Sequence, residues 1–132
     1  MTITGQQGNV MKESIECAKT IAWNLIPEKL KTMIHKEWKK KNNGIHIHCP
    51  EAATPKDGPS AGAAITTVIY SILNNLKIKN NIAITGEINT KGGITAIGGL
   101  NLKIIGGIRA GITHFFFPKS NIKNFNNFKK DN

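Results

Sequence analysis

The chain has 132 residues, with 18 Lys and Arg against 8 Asp and Glu, and a formal charge of +10 at pH 7. This length fits one domain, 1–132, which buries roughly two-thirds of its unfolded surface and so forms a real core. No apolar run approaches the ~18 residues of a membrane span, and no basic segment followed by an apolar one indicates a signal peptide, so we expect no membrane partner.

The first half of the chain predicts two helices and one strand. Residues 10–26 place apolar side chains at helical spacing, and Pro27 interrupts the helix. A second helix begins after Pro27 and gives way to a charged loop at 36–44. The segment "GIHIHCP", residues 44–50, alternates like a short strand, with His46 and His48 on one face. The apolar stripe predicted for the first helix is Ile15, Ala18, Ile21, Ala22 and Leu25.

The second half predicts a helix from Ser60 to Asn74, a strand at Ile82–Thr85, a short strand within 92–99, a helix over 100–111 and an apolar strand over 112–118. We expect at most one weak helical turn in the Asn-rich end. This order predicts an α/β fold of the α+β type with mixed strand directions. The stripe predicted to be buried on the helix after Ser60 is Ala61, Ala64, Ile65, Val68, Ile69 and Ile72.

The segment "PKDGPSAG", residues 55–62, places Ser60 at the start of a helix, behind a loop that contains Gly58. The unpaired N–H groups of a helix N-terminus are ready-made donors for an oxyanion, which suits a nucleophile. Serine is also a favoured helix N-cap. The residues alone leave both interpretations open.

A nucleophilic serine needs a base. His46, His48 and His114 stand in no recognisable arrangement with a serine and an acid. A lysine serves only when neutral, and an ordinary lysine pKa near 10.4 leaves about one in a few thousand neutral at pH 7 unless burial lowers that pKa. Lys103 lies in the apolar segment "LNLKII", so it is either a desolvated base or a surface lysine whose stem covers apolar neighbours.

Four segments resemble the proteolytic domain of Lon proteases, and their order and spacing match across nearly the whole chain: residues 4–14, 45–62, 85–103 and 109–118. The resemblance implies a dyad with Ser60 as nucleophile, its own N–H as an oxyanion donor, and Lys103 as base. It implies that Thr85 orients the lysine. It also assigns Asp57, Gly58, His46 and His48 to supporting positions.

The resemblance further implies the Lon proteolytic fold, similar to the second domain of a small-subunit ribosomal protein, and assembly into hexamers. The implied function is serine endopeptidase cleavage of unfolded polypeptide, ATP-dependent through a separate ATPase module. No "GxxxxGK[ST]" loop occurs, so we expect no ATPase domain, cofactor or metal in this chain, while a separate ATPase chain is a candidate partner. The alternative is an inactive Lon-like binding or assembly module.

Composition indicates the remaining expectations. Cys17 and Cys49 form neither a disulfide framework nor a metal motif, so we expect a reducing compartment, the cytoplasm or, in a eukaryote, the mitochondrial matrix. The lysines are scattered, so we do not expect nucleic acid as a partner.

Compared with the Lon pattern, the chain begins inside the "TGQQG" block and stops before a final strand and helix, so we expect a domain trimmed at both ends. Gly106 and Gly107 should each weaken their helix by roughly 1 kcal/mol relative to alanine.

Overall fold

The computed structural model describes residues 1–41 and 44–132, and Lys41 only by its backbone. Five α-helices are described: α1 Asn9–Asn24, α2 Glu28–Lys41, α3 Gly62–Leu73, α4 Leu100–Arg109 and α5 Ile122–Asp131. Six short strands accompany them: β1 Thr2–Thr4, β2 His46–His48, β3 Ile82–Ile84, β4 Glu87–Ile88, β5 Ile94–Thr95 and β6 His114–Phe116. The α/β class is confirmed.

The strands form three two-stranded pairs. Strand β1 runs parallel to β2, β3 runs parallel to β6, and β4 runs antiparallel to β5. The mixed strand directions expected from the sequence are therefore present. Each parallel pair joins strands that are distant in sequence.

The core lies between α1 and α3, and Ile34 of α2 adds to it. Ile15, Ala18, Ile21 and Ala22 are buried, as their helical spacing predicted. Burying a side chain the size of isoleucine is worth about 1.5–3 kcal/mol, so this face holds α1 against α3. The prediction was wrong for Leu25, which follows the last residue of α1 and is 62% exposed.

The prediction of a charged loop over 36–44 is wrong for residues 36–41, which continue α2. The continuation is explained by Ile34 and Trp38, which lie one helical turn apart and pack on the core while the lysines point outward. Lysine and glutamate are themselves good helix formers. The rest of that predicted loop includes positions 42 and 43, which lie outside the described residues.

Helix α3 begins two residues later than predicted, and it is rotated relative to the predicted stripe. Val68 and Ile72 are 47% and 55% exposed, whereas Thr66 and Leu73 are buried. The sequence is apolar on nearly every side of this helix, so hydrophobic periodicity does not single out one face. Packing against α1 sets the rotation instead, and Gly62 faces the Ser14 side chain of α1.

Strands β1 and β4 were not predicted, because each is only two or three residues long and β1 has a single partly buried residue, Ile3. The C-terminal end was underestimated. It forms a 3-10 turn at Lys119–Asn121 and the ten-residue α5, with Phe125 against Phe117. No helix among residues 1–41 and 44–132 is long and apolar enough to cross a membrane.

Candidate active site

Ser60 lies in a turn directly before α3, and its backbone is fixed by the segment that follows β3. The Ser60 carbonyl accepts hydrogen bonds from the Gly86 N–H at 2.8 Å and from Thr85 Oγ1 at 3.2 Å. The Gly86 carbonyl in turn accepts the Ala63 N–H at 2.9 Å. These bonds hold the turn from both sides and leave the side chain of Ser60 directed elsewhere.

Ser60 is not the N-cap of α3. Ala61 occupies the cap position, and no side chain makes a cap hydrogen bond to this helix. The Ser60 hydroxyl contacts a side chain from another element instead. Of the two interpretations that the sequence left open, the structural cap is therefore wrong.

That contact is with Lys103, on the first turn of α4. Lys103 Nζ donates to Ser60 Oγ at 2.9 Å and to Thr85 Oγ1 at 3.5 Å. The geometry thus brings together Ser60, Lys103 and Thr85 from three separate segments. A lysine nitrogen within hydrogen-bond reach of a serine oxygen is the arrangement that serine activation by an amine requires.

Lys103 is exposed rather than buried. The sequence argument looked for a lysine enclosed by the apolar residues on either side of it. Helix α4 directs these apolar residues to different faces. Leu100 and Ile104 are buried below the lysine, but Leu102 is 71% exposed on another face. Neighbours in sequence therefore do not desolvate this lysine, and a neutral amine would need cover from a bound substrate or another protein surface.

A cavity of about 230 Å³ opens beside the two side chains. Its polar groups include the Ser60 and Thr85 hydroxyls and the Lys103 amine, and the remainder of its wall is largely apolar. It is large enough for one amino-acid side chain of a peptide. The apolar wall consists chiefly of Ala83, Leu100, Ile104, Phe115, Phe116 and Phe117.

Asp57 contacts a helix end rather than the dyad. Its Oδ1 accepts the Met11 N–H at 2.8 Å, near the N-terminus of α1. Gly8 occupies the cap position and has no side chain to serve that function, so Asp57 supplies the cap from a distant segment. The carboxylate also suits the partial positive charge of a helix N-terminus. Asp57 therefore supports the loop that carries Ser60 by anchoring it to α1.

Two further residues fix the same loop. Gly58 has φ +118°, a conformation that only glycine adopts without strain. Lys56 donates to three backbone carbonyls, those of Gly5 at 2.9 Å, Thr54 at 2.8 Å and Glu51. The sequence identified Gly58 but not Lys56, because a lysine beside a proline carries no signal that its amine is turned inward onto carbonyls.

The two histidines of β2 lie on a different surface. His46 and His48 are exposed and bond to Thr4 of β1. The hydrogen bonds of these rings do not connect them to Ser60 or Lys103, so their supporting position is on the strand and not in the dyad. Within residues 1–41 and 44–132, no group of three or more His, Cys, Asp or Glu is placed to hold a metal ion.

Comparison with known proteins matches the sequence to one family. The model of the Lon protease (S16) C-terminal proteolytic domain matches residues 1–131. The chain belongs to the Lon protease family. It is 49% identical over 124 residues to the Lon protease of Fusobacterium nucleatum and 42% identical over 121 residues to that of Fervidobacterium nodosum, with 92% of the chain covered in each case. The Lon protease of Buchnera aphidicola from Acyrthosiphon pisum is 44% identical over 131 residues, 99% of the chain.

These matches cover 14%, 15% and 16% of the Lon relatives' own lengths. The match lies with the C-terminal proteolytic domain of Lon, which is the part that the sequence resemblance indicated. Ser60, Lys103 and Thr85 thus lie together within a Lon proteolytic domain.

Proposed function

We propose that this Lon-family domain is a serine endopeptidase in which Ser60 is the nucleophile and Lys103 is the general base. The observation that supports this most strongly is the 2.9 Å separation between Lys103 Nζ and Ser60 Oγ at the mouth of an apolar cavity. The amine of a surface lysine can donate its hydrogen bonds to water, whereas the amine of Lys103 donates to a serine hydroxyl.

The reaction follows from those atoms. Neutral Lys103 takes the proton of Ser60 as Oγ attacks the scissile carbonyl carbon, and the resulting ammonium protonates the leaving amine. Water then hydrolyses the ester that remains on Ser60: Lys103 accepts a proton from the water and returns it to Ser60 Oγ as the ester C–O bond breaks, and the acid product leaves and ionises. In the proposal the N–H of Ser60 stabilises the oxyanion, because this N–H donates no hydrogen bond within the described part of the chain.

Thr85 is a positioning residue in this mechanism. Its hydroxyl lies 3.5 Å from Lys103 Nζ and donates to the Ser60 carbonyl at 3.2 Å. One side chain thereby contacts the base and the backbone of the nucleophile. This explains why a threonine at the end of β3, rather than an apolar strand residue, suits the site.

Substrate and partners are part of the same proposal. We infer that the substrate is an unfolded polypeptide, because an open cavity for one side chain cannot enclose a folded domain. We infer that ATP-driven delivery comes from a separate ATPase module, since "GxxxxGK[ST]" does not occur in this sequence. A homo-oligomer, hexameric as in the family, would supply the surface that Lys103 needs in order to be desolvated. The free thiols of Cys17 and Cys49 suit a reducing compartment such as the cytoplasm.

The exposure of Lys103 favours a second candidate, a Lon-like binding or assembly module that does not turn over substrate. In that case the Ser60–Lys103 hydrogen bond would be structural. The two candidates differ in whether Ser60 reacts.

The test is cleavage of an unstructured fluorogenic peptide, and labelling of Ser60 by a fluorophosphonate detected by mass spectrometry. Ser60→Ala and Lys103→Met should abolish both. Lys103→Arg is the sharper variant, because arginine keeps the positive charge but cannot become neutral near pH 7. Lys91→Arg, on an exposed turn, is the matched control and should react like the wild type. A folded wild-type chain that neither cleaves nor is labelled would reject the proposal in favour of the binding module.

A further inference from the structure

Strands β1 and β2 bring two imidazole rings to one point. Their parallel register pairs Thr4 with His48 and Thr2 with His46, so these four side chains share one exposed face. His46 Nε2 lies 2.7 Å from Thr4 Oγ1, and His48 Nδ1 lies 2.8 Å from the same oxygen. A single hydroxyl therefore marks a point within hydrogen-bond reach of both rings.

The spacing of the two histidines explains this convergence. Residues two apart on a strand point to the same face and are separated by about 7 Å along the backbone. The rings close that gap by presenting different nitrogens, Nε2 from His46 and Nδ1 from His48. Both nitrogens lie on the side towards Thr4, on the exposed surface, so a small solvated ion can reach them.

We infer that His46 and His48 form a chelating site for a divalent transition-metal ion of the Zn²⁺ or Ni²⁺ class. Imidazole nitrogen is a preferred ligand of these ions, which bind it at about 2.0–2.1 Å in the case of zinc. The site has two protein nitrogens, and water completes the coordination, with the Thr4 hydroxyl adjacent. It is a two-histidine site, in keeping with the lack of any three-residue cluster among residues 1–41 and 44–132.

Alternative ligands lie away from this point. Cys49 follows β2 on the opposite face, where Ile45 and Ile47 pack on the core. His114, on β6, bonds through Nδ1 to the Thr113 hydroxyl next to it. His114 is exposed like His46 and His48 but has no second imidazole in its hydrogen-bond set. It therefore serves as a matched control for a lone histidine.

The site is independent of the proposed peptidase chemistry, so its test does not need an active enzyme. Zn²⁺ and, separately, Ni²⁺ are titrated into the full chain at pH 8, with the affinity measured by isothermal titration. Both cysteines are replaced by serine in the background so that thiols do not contribute. We expect one equivalent to bind. His46→Gln or His48→Gln should weaken binding by about 100-fold, because the second imidazole acts as an intramolecular ligand at high effective concentration.

His114→Gln should leave the affinity within about twofold of the background. Nitrogen-15 NMR of the imidazoles gives the atom-level result: Zn²⁺ should shift Nε2 of His46 and Nδ1 of His48, and should leave the His114 ring unchanged. Binding in the His46→Gln/His48→Gln double variant that is as tight as in the background chain would overturn the inference. Equal loss in His114→Gln, or coordination of Zn²⁺ through the opposite ring nitrogens of His46 and His48, would do the same.

The effect of Zn²⁺ on the melting temperature is a second, independent test of the same site. A ligand that binds only the folded state raises the apparent stability by RT ln(1 + L/Kd), where L is the free ligand concentration. Saturating Zn²⁺ should raise the melting temperature of the background chain and of His114→Gln. It should not raise that of the double variant. An equal rise in the double variant would assign the effect to ions bound elsewhere and would overturn the inference.

Discussion

Lys103 Nζ and Ser60 Oγ lie 2.9 Å apart although 43 positions separate the two residues in sequence. Three backbone features produce this contact: the turn before α3, the first turn of α4, and the segment after β3 that holds the turn through Thr85 and Gly86. The site is therefore a product of tertiary structure, and no local segment contains it.

The first prediction concerns Thr85. Thr85→Val keeps the size and β-branching but removes the hydroxyl that contacts Lys103 Nζ and the Ser60 carbonyl. A hydrogen bond to a charged group is worth about 1.5–3 kcal/mol, so we expect kcat for peptide cleavage to fall about 10- to 100-fold with little change in KM. Thr85→Ser should recover most of the loss. Equal kcat in Thr85→Val and the wild type would show that Thr85 is only a strand residue.

The second prediction separates capping from catalysis at Asp57. Asp57→Ala removes the acceptor of the Met11 N–H and should lower the free energy of unfolding by about 1 kcal/mol in urea titrations. Asp57→Asn keeps an acceptor oxygen and should cost less. Because the carboxylate contacts α1, we expect Asp57→Asn to keep most of the peptidase rate. Loss of rate in Asp57→Asn at unchanged stability would instead give the charge a direct role in the reaction.

The third prediction concerns Lys56. Lys56→Met keeps the length of the stem but leaves the carbonyls of Gly5, Glu51 and Thr54 without their shared donor. Unpaired polar groups cost about 1–3 kcal/mol each when buried, and these are partly exposed, so we expect a total loss of about 1–3 kcal/mol in unfolding free energy. Fluorophosphonate labelling of Ser60 should slow as well, since the loop that carries it loosens. Lys91→Met, on an exposed turn, should change neither quantity.

The sequence was sufficient for most of the fold, and the family resemblance indicated that Ser60, Lys103 and Thr85 lie together. Helices α1 and α4 and strands β2, β3 and β6 carry clear periodicity between Gly and Pro signals, so they were predicted near their observed positions. The extent of α2 was not predicted, because a lysine-rich face does not show whether the opposite face of the helix packs on the core. The rotation of α3 was not predicted either, because a helix that is apolar on nearly every side has no unique buried stripe.

The surroundings of Ser60 and Lys103 could not be predicted from the sequence. Leu100, Leu102 and Ile104 surround Lys103 in the chain, but a helix directs them to different faces and leaves the lysine exposed. The cap on α1 was equally hidden, since Asp57 and Met11 are 46 positions apart. Local chemistry identifies which residue can cap, whereas the partner of a distant cap depends on how the loop packs.

The last prediction uses the adjacent glycines of α4, which the sequence treated as equivalent. A Cβ added at Gly106 meets nothing within 4 Å, whereas one added at Gly107 would lie 2.4 Å from Cε1 of Phe115. Gly106→Ala should therefore stabilise the protein by about 1 kcal/mol through helix propensity alone. Gly107→Ala gains the same propensity but has to displace the Phe115 ring, which costs about 1–3 kcal/mol in a packed position.

We expect both thermal and urea unfolding to show that Gly106→Ala raises the stability and that Gly107→Ala lowers it. Phe115 also lines the cavity beside Ser60, so Gly107→Ala should raise KM for peptide substrates, while Gly106→Ala should leave KM unchanged. Equal stabilisation by both alanines would mean that α4 and β6 do not pack through Gly107 and Phe115. In that case Phe115 would not form part of the cavity wall, and the apolar side of the site would consist chiefly of Ala83, Leu100, Ile104, Phe116 and Phe117.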